Sequence, residues 1–281
     1  MTRTRIPLPV AAALAGLSLS ACSDEVELSE PDPLVTSLAN GGWVDLTHTL
    51  SEDAVFWPTA PEYSHEEAAY GMTEGGYFYS SYNLHLSEHG GTHLDAPIHF
   101  AEGRQTADEI PLSSLIGPAA VLDVSEQANA DRDYLVSVAD IEAWEAQHGE
   151  LADGTILLIR TGFDRYWPDP QGYLGTVLRG EEGVAELNFP GISQEAAHFL
   201  VEYRDLAAVG IDTASLDNGP SKDFQAHRIL LGANIPGFEN VANLGELPAT
   251  GAMVIALPTK VAKGSGAPLR IVAHLPAPRG E

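Results

Sequence analysis

The stretch His89-Gly90-Gly91-Thr92-His93-Leu94-Asp95-Ala96-Pro97-Ile98-His99 places three histidines and one aspartate within eleven residues. His89, His93, Asp95 and His99 all fall on odd positions, so in an extended segment their side chains share one face. A helix would scatter them, since Asp95 would stand roughly 200° from His93 at about 100° per residue. Gly90, Gly91 and Pro97 are also poor helix formers. A straight strand fails too, because ten steps of about 3.3 Å would separate His89 from His99 by roughly 33 Å. The segment is therefore expected to be a strand end that enters a tight loop and curls until the four side chains converge. Imidazole and carboxylate are nitrogen and oxygen donors for zinc and manganese, so this convergence predicts a metal site. A carboxylate-containing site without cysteine fits a metal that keeps an open position better than a saturated structural one.

Around this segment the pattern is that of an α/β protein. Trp43 to Leu50 and Tyr82 to Glu88 alternate apolar and polar residues and read as strands. Ala119 to Val124 and Thr155 to Arg160 are short Val/Ile/Leu runs, as expected for strands buried on both faces. Leu206 to Ile211, Ala252 to Leu257 and Leu269 to His274 complete the set. Between them, Ser137 can cap a helix that carries Ile141 and Trp144 and stops at Gly149, and Ser193 can start another with Ala197, Leu200 and Val201 inward. The predicted architecture is a single α/β domain with a mixed β-sheet flanked by helices, spanning residues 41–281.

The chain has 281 residues, long enough for one large domain, and carries 40 acidic against 14 basic residues for a formal charge of −26. Phosphate recognition needs clusters of Lys and Arg and none is visible, so nucleic acid is excluded as a partner. The single cysteine, Cys22, excludes an intrachain disulfide and any cysteine-based zinc site. Arg3 and Arg5 precede an apolar run from Ile6 to Leu19 that ends in Leu19-Ser-Ala-Cys22, similar to a bacterial lipoprotein signal. Residues 1–21 are accordingly expected to be an export signal and Cys22 a lipid-anchored N-terminus at the periplasmic or cell surface, a soluble secreted form being the alternative. Residues 22–40, acidic and containing Pro31 and Pro33, read as a tether. Contact with a membrane is expected only through that lipid.

The motif resembles the signature of the metal-dependent cyclase-like hydrolases, a family that includes bacterial kynurenine formamidase and isatin hydrolase. Its pattern, His-x-Gly-Thr-His-x-Asp-x-Pro-x-His, is met at His89, Gly91, Thr92, His93, Asp95, Pro97 and His99. The resemblance extends over roughly Trp43 to Leu275, through Trp57-Pro58 with Thr59 in place of a glycine, Arg160-Thr-Gly162, Gly210 to Ser215, His227 and Glu239. It implies a swivelling β/β/α fold, a homodimer or larger homo-oligomer, and one or two divalent ions, Zn2+ or Mn2+. It also implies that His89, His93 and Asp95 hold one ion, that Asp95 and His227 hold a second, that Glu239 touches both, and that His99 gives and takes protons.

Read from the residues alone, these positions keep their alternatives. A metal-activated water attacking a carbonyl suits the donor set, and an imidazole with an ordinary pKa near 6.5 can relay the proton; His99 can equally be a further ligand. His227 by itself can be a core histidine, Trp57 can stack on an aromatic substrate or simply pack, and Arg160 can pair with a buried carboxylate. His85 shares the parity of the motif but lies outside the signature, as a neighbour. The Gly-rich, acidic segment from Gln171 to Leu187 can shape a pocket mouth or be an inert insertion. The predicted activity is metal-dependent hydrolysis of a non-peptide C–N bond in a small amide or lactam. An aryl formamide such as N-formylkynurenine is the leading substrate, a cyclic amide of isatin type the alternative, and a lipid-anchored metal- or ligand-binding protein without turnover the rival from another class.

Overall fold

The computed structural model describes residues 32–61 and 63–276. The expected export signal and Cys22 lie outside the described residues, as does the tether up to residue 31. The strands are β1 (Gly42–Asp45), β2 (Ser64–Met72), β3 (Phe78–His85), β4 (His93–Asp95), β5 (Ile116–Asp123), β6 (Leu135–Val136), β7 (Thr155–Arg160), β8 (Gly191–Ile192), β9 (Leu206–Ile211), β10 (Gly237–Glu239), β11 (Thr250–Pro258) and β12 (Gly266–Leu275). The helices are α1 (Pro33–Asn40), α2 (Ser125–Ala130), α3 (Val138–His148), α4 (Pro170–Leu174), α5 (Gly180–Ala185), α6 (Gln194–Tyr203) and α7 (Gln225–Gly232).

The main sheet runs β1-β12-β11-β5-β7-β9-β10-β4, and β4 also pairs with β12. Seven strands thus close into a ring, with β1 attached outside it. The sheet is mixed: β5, β7, β9 and β10 are mutually parallel, whereas β11, β12 and β4 join antiparallel. The expected mixed sheet flanked by helices is present, but the sheet is closed and not open. The three-residue β4 bonds to β10 on one side and to β12 on the other, which removes both sheet edges and turns one face into the lumen of a barrel. Helices then cover only the outside.

Thr155-Ile-Leu-Leu-Ile and Leu206 to Ile211 are apolar at almost every position because each strand meets a core on both faces. Ile156, Leu158 and Ala208 fill the barrel interior with Leu94, Phe238, Val254 and Ile271. Leu157, Ile159, Val209 and Ile211 form the outer layer with Ile141 of α3, Leu200 of α6 and Leu230 of α7. Ser137 caps α3 as read from the sequence, with Asp140 returning the bond in a capping box, and Gly149 ends it. A third cluster, Val55, Phe163, Tyr173, Leu174, Leu187 and Phe189, lies under the loops outside the ring. Part of the expected tether is structured: residues 33–40 form α1, where Ser37 O meets His274 Nε2 at 3.0 Å and Leu38 O accepts from Trp43 Nε1 at 3.3 Å. No helix among the described residues is long and apolar enough to cross a membrane.

Candidate metal centre

β4 closes the ring and also carries the motif. Leu94 points into the barrel and is fully buried in its core, so its neighbours His93 and Asp95 project outward. In the β10–β4 ladder Glu239 stands opposite His93 and Gly237 opposite Asp95, which puts Glu239 on the same outer face. The approach to β4 is bent as the glycines required. Gly91 is left-handed at φ +63°, and a Cβ on Gly90 would overlap the Phe56 ring, with which that backbone forms a bridge. His89 therefore returns to Asp95, Nδ1 to Oδ1 2.7 Å. Past Pro97 a short 3-10 turn brings His99 back over His89, the rings stacked with centroids 3.9 Å apart. The curled segment has the shape expected of it.

The other two donors arrive from distant elements. α7 buries Ala226, His227, Leu230 and Leu231, and its histidine reaches the carboxylates from above. His227 Nε2 lies 3.1 Å from Asp95 Oδ2 and 3.0 Å from Glu239 Oε1. His93 Nε2 lies 3.3 Å from Asp95 Oδ1 and 3.4 Å from Glu239 Oε2, yet it makes no hydrogen bond and has no contact with solvent. A buried imidazole nitrogen with no partner is costly unless something else fills its lone pair. Donors about 2.1 Å from a shared ion stand roughly 3.0–3.4 Å from each other, and the separations here fall at that spacing. His93, Asp95 and Glu239 form one set with donor atoms within 4.8 Å of each other, and His89, Asp95 and His99 form another. The residues present fit one or two divalent ions, with Asp95 common to both sets.

Without an ion, protons balance the buried carboxylates. Burial opposes charging of His93, but Asp95 and Glu239 outweigh it and hold the ring up at about 10. Burial likewise opposes charging of His227, and Asp217, Asp95 and Glu239 together raise it well above the ordinary value. Burial would raise Asp95, but His227, His89 and His93 hold it well below the usual carboxylate range. His99 moves the other way: desolvation by the surrounding rings pushes it down to about 4, against the pull of Asp95. Its ring opens to solvent on the cavity side, and the downward shift leaves it neutral at pH 7.

Three supporting residues were not found by sequence reading. Asp217 Oδ2 accepts from His227 Nδ1 at 2.7 Å and from His227 N at 3.1 Å, while Oδ1 accepts from Ala226 N at 3.0 Å. It thus fixes which nitrogen of His227 faces the cluster and satisfies the first free donors of α7. Ser265 Oγ lies 3.0 Å from His89 Nε2 and donates to Glu88 Oε2 at 2.8 Å, so His89 turns Nδ1 toward Asp95. The only sequence signal for Asp217 is its position just beyond Gly210 to Ser215. Other expectations resolve as follows. Arg160 pairs with Asp123, a half-exposed carboxylate and not a buried one. His85 sits on the outlying β2–β3 hairpin near Glu66, 3.6 Å away, outside the cluster.

Above the cluster opens a cavity of about 340 Å³. His89, His93, His99, His227 and Glu239 form its floor, and Val55, Phe56, Trp57, Phe100 and Phe224 supply most of its walls. Trp57, read as a substrate contact or as packing, lines the cavity and also meets Phe189 edge-on at 6.5 Å. Among the described residues, no Lys or Arg lines the cavity. Phe224, at the entry to α7, is held at φ +49°, a left-handed conformation uncommon for an aromatic residue, and the same turn sets its ring in the wall.

Comparison with known proteins agrees with this geometry. The chain is 31% identical to an isatin hydrolase of Roseibium aggregatum over 280 residues, covering 94% of this chain and 97% of that protein. It is 29% identical to a kynurenine formamidase of Salinibacter ruber over 231 residues, covering 82% and 95%. Among solved structures it superposes on an isatin hydrolase bound to the product analogue thioisatinate, with TM-score 0.78, 29% identity and coverage of 86% and 96%. Isatin hydrolase A from Labrenzia aggregata, bound to benzyl benzoate, gives TM-score 0.78 at 33% identity, covering 86% and 98%. Residues 44–218 match the model of the family described as putative cyclase. The chain belongs to the putative cyclase family, whose curated members similar to it are hydrolases.

Proposed function

We propose that the chain opens the ring of a neutral aromatic cyclic amide of isatin type, by hydrolysis that depends on a divalent metal. The observation that carries this reading is the cavity: aromatic walls over a His/Glu floor, with no Lys or Arg among the described residues that line it. A flat bicyclic amide can stack on Trp57, Phe100 and Phe224 without burying any charge of its own. N-formylkynurenine carries an amino-acid carboxylate, which would be desolvated here without a basic partner. The order of the two substrates expected from the sequence is therefore reversed.

His93, Asp95 and Glu239, with His89 and His227 beside them, would hold a divalent ion, which when bound would supply Lewis-acid polarisation of the carbonyl and a lowered water pKa. The chain's own groups do the rest. The aromatic walls hold the ring plane against the floor, where Asp95 and Glu239 would balance the charge of the ion. His99, neutral at pH 7 and open to the cavity, takes a proton from the attacking water and returns it to the departing ring nitrogen. Water adds to the carbonyl carbon, the C–N bond breaks, and an arylamine and a carboxylate result. Imidazole and carboxylate donors without a thiolate suit Zn2+ or Mn2+. Purified protein loaded with either ion is expected to turn over isatin and to lose activity on exhaustive chelation; activity that survives chelation would refute the proposal. Export with a lipid anchor at Cys22, and assembly as a homo-oligomer, accompany it as proposals resting on the N-terminal pattern and the family resemblance. Loss of membrane association in Cys22→Ala tests the first, and the mass in solution tests the second.

A further inference from the structure

The cavity wall formed by Phe56, Trp57, Thr59 and Ala60 is held from behind by a segment that contributes nothing to the cavity itself. Arg179, just before α5, donates from Nη1 to Phe56 O at 3.3 Å and to Trp57 O at 3.2 Å, and from Nη2 to Ala60 O. The next residue adds a fourth bond, Gly180 N to Pro58 O at 2.9 Å. The backbone of Gly183 lies so close to Pro58 and Leu178 that a side chain there would collide with both. Behind the same wall is a second cavity of about 510 Å³, lined by Val55 and Phe56 on one side and by Pro168 to Arg179 on the other. The wall thus separates two open spaces. Its position is set by the carbonyl bonds to Arg179 and Gly180, by the close approach of Gly183 to Pro58 and, at the opposite end, by the Phe56–Gly90 bridge.

We propose that Arg179 is a positioning residue for substrate fit: its guanidinium straps the Phe56 to Ala60 wall and so sets the width of the cavity above the metal centre. This gives the Gln171 to Leu187 segment a role in selectivity and leaves the metal and proton machinery alone. The inference rests on the reading of the first cavity as the substrate site. One planar guanidinium satisfies three carbonyls, which a lysine ammonium on a flexible stem reproduces only in part.

The test compares wild type, Arg179→Ala and Arg179→Lys as full-length, metal-loaded proteins. Hydrogen exchange is read over residues 54–63, together with metal content and the KM and kcat for isatin. In Arg179→Ala we expect exchange at Ala60, whose N–H bonds to Trp57 O, to quicken about tenfold. KM should rise about five- to tenfold, with kcat within twofold and metal content unchanged, and Arg179→Lys should fall between. Unchanged exchange, faster exchange with unchanged KM, or kcat and metal content falling together would each overturn the strap. If wild type does not turn over isatin, the substrate reading fails on that result alone. The strap is then judged by exchange and by the Kd of oxindole, a neutral bicyclic lactam, which should weaken by the same factor and would count against it if unchanged. Should Arg179→Ala not fold, Arg179→Lys and Arg179→Gln carry the same readouts.

Discussion

Replacing Asp217 by Asn removes the charge behind His227 with almost no change of shape. In the wild type Asp217 receives three hydrogen bonds, from His227 Nδ1 at 2.7 Å, His227 N at 3.1 Å and Ala226 N at 3.0 Å. An asparagine can accept with one oxygen only, so its amide must face at least one of these donors, and the imidazole loses the negative charge that supports it. Carboxylates in this position typically contribute ten- to hundredfold to metal affinity, or about 1.4–2.7 kcal/mol. Asp217→Asn is therefore expected to bind Zn2+ or Mn2+ about ten- to hundredfold more weakly. A small loss of apo stability, on the order of 1 kcal/mol, should follow from the uncapped start of α7. Competition against a chromophoric chelator at fixed pH measures the first, and thermal unfolding of the metal-free protein measures the second. An affinity within twofold of wild type would refute the placing of His227 in the metal centre. Weaker binding matched by gross destabilisation would assign Asp217 to folding alone.

Three further outcomes are expected. His99→Ala should keep its metal and lose about 10²- to 10⁴-fold in kcat; loss of the metal would make His99 a ligand. Metal affinity should rise with pH, because the apo protein keeps a proton on His93 up to about 10. That raised pKa contributes to apo stability fully below pH 6.5 and fades as pH climbs through about 10, and an ion must displace the same proton. Chelator competition from pH 6 to 9 should show up to about tenfold tighter binding per unit for each proton released, and a flat profile would contradict the assignment. Arg204→Ala is a control far from the centre: its guanidinium makes a two-pronged contact with Glu145 at 2.7 and 2.6 Å, both side chains nearly buried. The variant should lose about 1–3 kcal/mol in thermal unfolding with kcat/KM unchanged.

What could be read from the sequence followed how locally the signal was written. β7 and β9 begin and end where their apolar runs do, because a strand buried on both faces leaves no polar interruption to blur its limits. α3 was legible through Ser137 and Gly149, and the curl of His89 to His99 through parity, two glycines and a proline. Closure of the ring was not, since it depends on three residues that pair on both sides, and three residues carry no period. The β2–β3 hairpin was half seen, because its aromatic residues, Tyr70, Phe78 and Tyr79, are more than half exposed and alternate toward no core. His227 and Glu239 meet through the docking of α7 and the register of β10, which no spacing encodes; only the family resemblance pointed to them. Asp217 was missed because a carboxylate ten residues before a histidine is an ordinary surface pair until a helix start brings the two together.

The proposed substrate is a neutral aromatic amide lying over a metal centre in a cavity that no described Lys or Arg lines. The most direct test of that assignment is the ratio of kcat/KM for isatin to that for N-formylkynurenine, measured on one preparation of metal-loaded protein. Leaving the amino-acid carboxylate unpaired in the cavity costs on the order of 3 kcal/mol, so the account predicts a ratio above about 100 in favour of isatin. A ratio below one would contradict it.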